Sequence, residues 1–216
     1  GRTRFSPTTF LTRAVDFDGD GHRNIWTSNA DALASTASFL RESGWRTGET
    51  WGYEVIVPKG FDYLLADHTH VMPIRQWEMR NVRRVNGQPF PHAAETAYLL
   101  VPAGANGPAF LMLQNFRVIM KYNPSEAYAL AIGHLADRMR GGGPFVQAWP
   151  RQERVLSRGE RLELQQQLAR IGYDVGAPDG HLGIKTRSAI RAFQARSGRV
   201  PDGFASAEVL NSLRKL

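Results

Sequence analysis

A helix-breaking run, Gly141-Gly142-Gly143-Pro144, divides the chain, because neither a glycine run nor proline continues a helix. The residues that follow contain Pro150, several charges and little periodicity, which is typical of a linker. Hydrophobic periodicity then resumes. The break predicts a first folded part over residues 1–140, a linker over residues 141–156 and a second folded part over residues 157–216.

The first part changes its hydrophobic period twice along the chain. Helical spacing predominates at both ends, and strand-like runs bounded by proline and glycine occupy about residues 51–114. A second helical pattern, beginning at Asp31, places Leu33, Ala37 and Leu40 on one face. This order predicts the α+β class, with a mainly helical part that carries a small β-sheet insertion.

The last sixty residues contain three helical patterns and enough apolar side chains for a small core: Leu164, Leu168, Ile171, Ile190, Phe193, Val209 and Leu213. Asp179-Gly180-His181-Leu182-Gly183 supplies a turn before the second helix. In this order the motifs resemble the three-helix peptidoglycan-binding domain found on many cell-wall enzymes. The resemblance implies a non-catalytic module that docks on glycan strands or stem peptides. Tyr173 is a candidate contact residue, with a structural role equally open.

The composition limits the possible partners and chemistry. The 27 Lys and Arg residues exceed the 20 Asp and Glu residues, so the chain carries a net charge of +7 and attracts polyanions such as nucleic acid, anionic membranes or cell wall. The chain has no cysteine, which excludes disulfides and thiolate chemistry. It has no apolar run of 18 residues, so we expect no transmembrane segment, and it shows no signal-peptide pattern.

An acidic loop, Asp16-Phe17-Asp18-Gly19-Asp20-Gly21-His22, places three carboxylates at alternate positions and a glycine at the sixth. Calcium takes six to eight oxygen ligands, and this spacing turns the carboxylates toward one point. The predicted ligands are the side chains of Asp16, Asp18 and Asp20 and the backbone carbonyl of His22. The twelfth position is Thr27 rather than Glu, so Asp31 is the predicted substitute. A solvated or helix-capping Asp/Gly turn remains the alternative.

Ordered motifs extend across the first part: Arg4-Phe5-Ser6-Pro7, the acidic loop, Trp51-Gly52-Tyr53 and Lys121-Tyr122-Asn123-Pro124-Ser125. Together they resemble the family B lytic murein transglycosylases, glycoside hydrolase family 103. The resemblance implies a lysozyme-like fold and non-hydrolytic cleavage of the MurNAc–GlcNAc bond. A protonated Glu would give its proton to the leaving oxygen, and the 6-hydroxyl of the sugar would close a 1,6-anhydro ring.

The same resemblance assigns Arg4, Tyr122, Asn123 and Tyr128 to the glycan cleft. The family usually has Gln at the position of Arg4, so Arg4 either pairs with a MurNAc carboxylate or marks a degenerate site. An Asn amide can donate to and accept from an N-acetyl group, and a Tyr ring can stack on a sugar. Packing roles remain open for the two tyrosines and for Asn123.

No catalytic residue is assigned, because the Glu-Ser motif of the family precedes the stretch that matches Gly1. The chain begins abruptly there without Met, so we expect its natural beginning to lie upstream. Glu42-Ser43 copies the dipeptide but lies at the exposed end of a predicted helix. We therefore expect a monomer in the periplasm or cell envelope that binds peptidoglycan without cleaving it and carries a structural calcium ion. The alternatives are a natural non-enzymatic wall-binding protein and, on charge alone, a nucleic-acid binder.

Overall fold

The computed structural model describes residues 2–216; Gly1, at which the predicted first part begins, lies outside the described residues. The chain forms two compact units. The first combines the residues up to Trp51 with Leu113–Arg140, and the second combines Gly52–Met112 with Gly141–Leu216. Within residues 2–216, the helices are all too short or too polar to cross a membrane.

The first unit is helical: α1 (Pro7–Arg13), α2 (Asn29–Glu42), α4 (Gln114–Tyr122) and α5 (Glu126–Met139). Serine hydroxyls cap three of these helices, because Ser6, Ser28 and Ser125 each accept a hydrogen bond from a backbone N–H in the first turn. The α4 side chains Phe116 and Val118 are fully buried. Gly133 of α5 lies against the Trp51 ring, where an added Cβ would approach to 2.9 Å.

The second unit contains an antiparallel five-stranded sheet in the order β2-β4-β5-β1-β3. Its strands are β1 (Gly52–Ile56), β2 (Met72–Pro73), β3 (Arg83–Arg84), β4 (Thr96–Leu100) and β5 (Ala109–Met112). The central strand β5 pairs Leu111 with Tyr53 on one side and with Leu99 on the other. All four β5 residues are buried, and Trp77 of the short helix α3 (Ile74–Met79) is fully buried. The combination of helices and this sheet confirms the predicted α+β class.

Three helices complete the second unit: α6 (Arg158–Arg170), α7 (Ile184–Arg196) and α8 (Ala207–Leu213). They share a core whose largest fully buried members are Leu164, Leu168, Ile190 and Leu210. The first helix begins at a capping box, in which Ser157 and Glu160 satisfy each other's backbone N–H groups. We call this three-helix portion the module.

Side chains of the sheet portion and of the module meet within the second unit. Asp67 accepts hydrogen bonds from Arg191 at 2.8 Å and from Ser188 at 3.0 Å. The segment predicted as a linker also contacts the sheet, because the Glu54 carboxylate accepts hydrogen bonds from the backbone N–H groups of Val146 and Gln147. The module is therefore attached to the sheet by specific polar contacts.

Candidate functional site

A cluster of aromatic side chains in the first unit contains one of the predicted cleft residues, Tyr122. Its ring meets Phe39 edge to face with centroids 5.5 Å apart, and Phe39 lies 5.9 Å from Phe5. The backbone N–H of Arg4 donates to the Tyr122 hydroxyl at 3.2 Å. We call Phe5, Phe39 and Tyr122 the aromatic cluster. It joins residues near the start of the chain, the last turn of α2 and the end of α4.

Two further contacts position the aromatic cluster. Lys121 donates to the carbonyl of Ser43 at 2.8 Å, which ties the last turn of α4 to the end of α2. The Arg13 guanidinium lies 5.8 Å from the centroid of Phe39 and forms an ion pair with Glu42. Cations over aromatic faces are attracted by the ring quadrupole. The cluster thus combines ring surface with a basic rim.

The predicted cleft residues differ in their surroundings. Arg4 is exposed, so its guanidinium is accessible to a ligand, whereas Asn123 is 8% exposed and begins the chain turn after α4. Tyr128 is half-buried in the first turn of α5, where its backbone N–H is capped by Ser125. The structure joins Arg4 to Tyr122, and burial favours a structural role for Asn123.

Tyr173 lies in the second unit, directly after α6. Its backbone N–H donates to the carbonyl of Leu168 at 3.0 Å, and its half-buried side chain packs against the core of the module. The side chain of Tyr173 therefore stabilises the turn after α6, and only its exposed part is accessible to a ligand.

Phe5 and Phe39 are candidate site residues that the sequence did not predict. Phe5 stands directly after Arg4, so its position beside a predicted cleft residue was the available signal. Phe39 lies off the apolar face that periodicity predicted for α2, and only the tertiary contact with Tyr122 identifies it.

The acidic loop brings together three of the predicted metal ligands. Carboxylate oxygens of Asp16, Asp18 and Asp31 all lie within 4.8 Å of one another. Asp16 accepts hydrogen bonds from the N–H groups of Gly19 at 2.7 Å and Gly21 at 2.9 Å. Both glycines have positive φ, 75° and 86°, a conformation that side chains with a Cβ rarely adopt. The glycines thus permit the turn that gathers the carboxylates.

Asp31, in the first turn of α2, lies beside this loop and is completely buried. Its carboxylate accepts the backbone N–H of Phe17 at 2.8 Å and that of Asn24 at 2.7 Å. The hydrogen bond from Phe17 lowers the pKa of Asp31 most; burial opposes this, and further backbone hydrogen bonds from Asn24 and Asp18 add to the lowering. The net effect is a pKa below the usual value, which keeps Asp31 ionised.

The Asp20 carboxylate lies outside the gathered set, and the backbone carbonyl of His22 stays a predicted ligand. The Asp20 carboxylate accepts the backbone N–H of His22 at 2.8 Å, and both residues are exposed. Asp18 accepts a hydrogen bond from the hydroxyl of Ser28, the cap of α2. The donor set is made of oxygen atoms, which suits a hard cation such as calcium.

Comparison with known proteins gives the family. The sequence pattern of the transglycosylase SLT domain matches residues 1–137. The chain belongs to the transglycosylase SLT domain family. A second pattern, the putative peptidoglycan binding domain, matches residues 157–213 of the same chain. Both matches agree with the resemblances that the sequence motifs indicated.

Individual relatives of this SLT-domain chain are known. Membrane-bound lytic murein transglycosylase B of Escherichia coli K12 is 28% identical over 142 residues, which cover 62% of this chain and 36% of that protein. The crystal structure of SltB3 from Pseudomonas aeruginosa in complex with NAG-anhNAM-pentapeptide is 54% identical, with a TM-score of 0.90 over 99% of this chain and 58% of that one. The chain therefore spans less than two thirds of either relative.

A third relative bears on the acidic loop. The Escherichia coli lytic transglycosylase Slt35, whose structure was determined in complex with calcium, is 27% identical to this chain. Its TM-score is 0.51, and the match covers 63% of this chain and 42% of that one. A calcium complex is thus known for a protein that is similar to this chain.

Proposed function

We propose that this chain binds peptidoglycan as part of a lytic transglycosylase, an enzyme that cleaves the MurNAc–GlcNAc bond to give a 1,6-anhydro sugar. The hydrogen bond from the Arg4 backbone N–H to the Tyr122 hydroxyl carries the proposal, because it brings a residue with an exposed cationic side chain next to an aromatic residue of the SLT domain. The complex of SltB3 with NAG-anhNAM-pentapeptide supports the choice of ligand.

The recognition chemistry follows from the residues at this contact. The exposed Arg4 guanidinium can form charge-assisted, bidentate hydrogen bonds with the lactyl carboxylate of MurNAc. The Tyr122 ring offers an apolar face to a sugar, and its hydroxyl can donate a hydrogen bond while it accepts the one from Arg4. A residue pair of this kind suits an anionic sugar better than a neutral one.

We further propose that residues 1–216 bind the glycan without cleaving it. A general acid must hold a transferable proton beside the glycosidic oxygen. The Glu-Ser dipeptide of this chain is engaged elsewhere, since Glu42 forms an ion pair with Arg13 and accepts a hydrogen bond from Ser38. Glu42 therefore does not take the role of the acid in this proposal.

The acidic loop is proposed to hold a structural calcium ion. Asp16, Asp18 and Asp31 would be the first ligands, and the Asp20 side chain and His22 carbonyl would join after a small change of the exposed turn. Three carboxylates within 4.8 Å repel one another, and a divalent cation removes that repulsion. The ion would fix the connection between α1 and α2.

Binding to isolated sacculi, the insoluble peptidoglycan of bacterial walls, tests the main proposal. The chain should sediment with sacculi at moderate salt, and an excess of duplex DNA should not displace it. Displacement by DNA would instead support a nucleic-acid binder attracted by the net charge of +7. A location in the periplasm or elsewhere in the cell envelope follows from this substrate.

A further inference from the structure

A cleft of about 410 Å³ lies in the second unit, where the loop between β4 and β5 approaches the loop between α7 and α8. The side chains that define it are Asn106, Glu153, Arg199, Phe204, Glu208 and Val209. The cleft is lined by both the sheet portion and the module, and the aromatic cluster of the first unit has no part in it.

Asp202 is one of the residues that line the cleft. Its carboxylate accepts hydrogen bonds from the backbone N–H of Ala105 at 2.9 Å and from the Gln194 side chain at 2.8 Å. Gly104 has a φ of 72°, and an added Cβ there would lie 2.6 Å from the carboxylate of Asp202. Only glycine permits this close approach. The Asp202 carboxylate thus connects the loop between α7 and α8 to the loop between β4 and β5.

Arg199, the guanidinium that lines the cleft, also has partners within the module. It forms an ion pair with Glu208 and donates to the hydroxyl of Ser212 at 2.9 Å. Its charge is therefore directed to the first turn and the end of α8. A ligand would meet an arginine that is already neutralised by a neighbouring carboxylate.

Glu153 differs from the other charged residues of the cleft. Its Oε1 receives only a long hydrogen bond, 3.5 Å, from the Asn106 side chain. Its Oε2 is buried and has no hydrogen-bond partner within residues 2–216. A buried carboxylate oxygen without a donor is costly, so a turn of the partly exposed Glu153 side chain that brings this oxygen to an N–H group of a ligand in the cleft regains a hydrogen bond.

The overall charge of the cleft favours a cation. Three carboxylates and one guanidinium line it, although the whole chain has a net charge of +7. Local excess of negative charge in a concave site attracts positive ligands. Phe204 and Val209 add apolar surface for an aliphatic stem. An ammonium group on a flexible carbon chain combines these two properties.

We propose that this cleft binds the free side-chain ammonium of a diamino acid in a peptidoglycan stem peptide, and that Glu153 accepts its hydrogen bonds. The identity of the peptide rests on the proposed function, whereas the preference for an ammonium group rests on the cleft itself. The chain would then contact the glycan through the first unit and the peptide through the second.

Calorimetric titration with a stem tripeptide whose third residue carries a free side-chain amine tests this proposal. Acetylation of that amine should raise the Kd about tenfold or more, because a charge-assisted hydrogen bond to the partly buried Glu153 carboxylate is lost. Glu153→Gln should weaken binding of the free-amine peptide to the same extent. The matched control, Glu163→Gln, removes a carboxylate paired with Arg214 outside the cleft and should leave the Kd unchanged.

Equal affinity for the two peptides, no measurable binding of either, or an unaffected Kd in Glu153→Gln would overturn the proposal. The peptide comparison uses the unmodified protein, so it does not depend on the folding of a variant. A parallel sedimentation experiment with sacculi separates the proposed ammonium site from the proposed function. Retained sedimentation without amine discrimination rejects the cleft alone, whereas amine-dependent peptide binding without sedimentation supports the cleft and rejects the proposed function.

Discussion

Arg191 of the module places its Nη1 atom 2.8 Å from Oδ2 of Asp67, and the side chains are only 10% and 12% exposed. Burial raises the pKa of Asp67. Hydrogen bonds from Thr69 and Ser188 and the charge of Arg191 lower it by more than burial raises it, so the net pKa lies below the usual value. This ion pair therefore connects the module to the loop between β1 and β2 in its charged form.

Asp67→Asn should lower the free energy of unfolding by roughly 2–4 kcal/mol, because the largely buried Arg191 loses its ion pair with Asp67. Urea denaturation followed by circular dichroism measures this change. The matched control is Asp174→Asn, whose ion pair with Lys185 is mostly exposed and screened by solvent, so the expected cost is much smaller. Equal costs in the two variants would show that the Asp67–Arg191 pair does not stabilise the second unit.

The capping box of α6 predicts a specific response to acid. The hydrogen bond from Arg154, followed by that from the Ser157 backbone N–H, lowers the pKa of Glu160 from 4.5 to about 2. A carboxylate with a lowered folded-state pKa contributes stability above its unfolded pKa and loses it as the pH falls through the folded value. Glu160→Gln should therefore reduce the loss of stability between pH 4.5 and 2.

Urea midpoints measured at several pH values check the role of Glu160. Below pH 2 Glu160 is protonated in the folded parent protein, so its charge should no longer add to the free energy of unfolding, and the stability difference between parent and variant should shrink. A variant whose stability depends on pH between 4.5 and 2 as steeply as that of the parent would contradict this assignment.

Calcium should raise the melting temperature, because the folded loop presents three gathered carboxylates that the unfolded chain does not. Asp18→Ala should abolish the increase, whereas Asp174→Ala, outside the loop, should preserve it. Differential scanning calorimetry with calcium and with chelator gives both values. A full increase in Asp18→Ala would place the ion elsewhere.

Tyr122→Phe should weaken the affinity for soluble MurNAc-containing glycan by about two- to tenfold, the effect of losing one neutral hydrogen-bonding group. The ring contact with Phe39 is preserved in this variant, so the stability should change little. Tyr53→Phe, in the sheet, is the matched control and should bind normally. Unchanged affinity in Tyr122→Phe would remove that hydroxyl from the binding site.

The face that α2 buries could not be predicted from periodicity. Leu33, which the apolar pattern placed on the inner stripe, is 72% exposed, whereas Ala32, Ser35 and Ser38 are buried. Ser35 accepts the backbone N–H of Val15 at 2.9 Å, so a polar tertiary contact determines which face turns inward. The existence of the helix was predictable because its cap and length are local properties.

The candidate site was predictable where its signal was local in the chain. The alternating carboxylates from Asp16 onward indicated a cation loop, and the structure gathers two of them with Asp31. The contact between Arg4 and Tyr122 spans 118 residues, and only the resemblance to a family assigned both to a cleft. Strands β2 and β3 were missed because two residues are too few to show a period.

Whether the chain binds the wall without cleaving it is tested most directly by incubation with sacculi, followed by separate analysis of the pellet and the supernatant. The protein should appear in the pellet, and mass spectrometry of the supernatant should detect no 1,6-anhydro muropeptides above a buffer control. Release of 1,6-anhydro products would show that these residues contain a working acid. Protein that stays in the supernatant would show that the chain does not bind the wall.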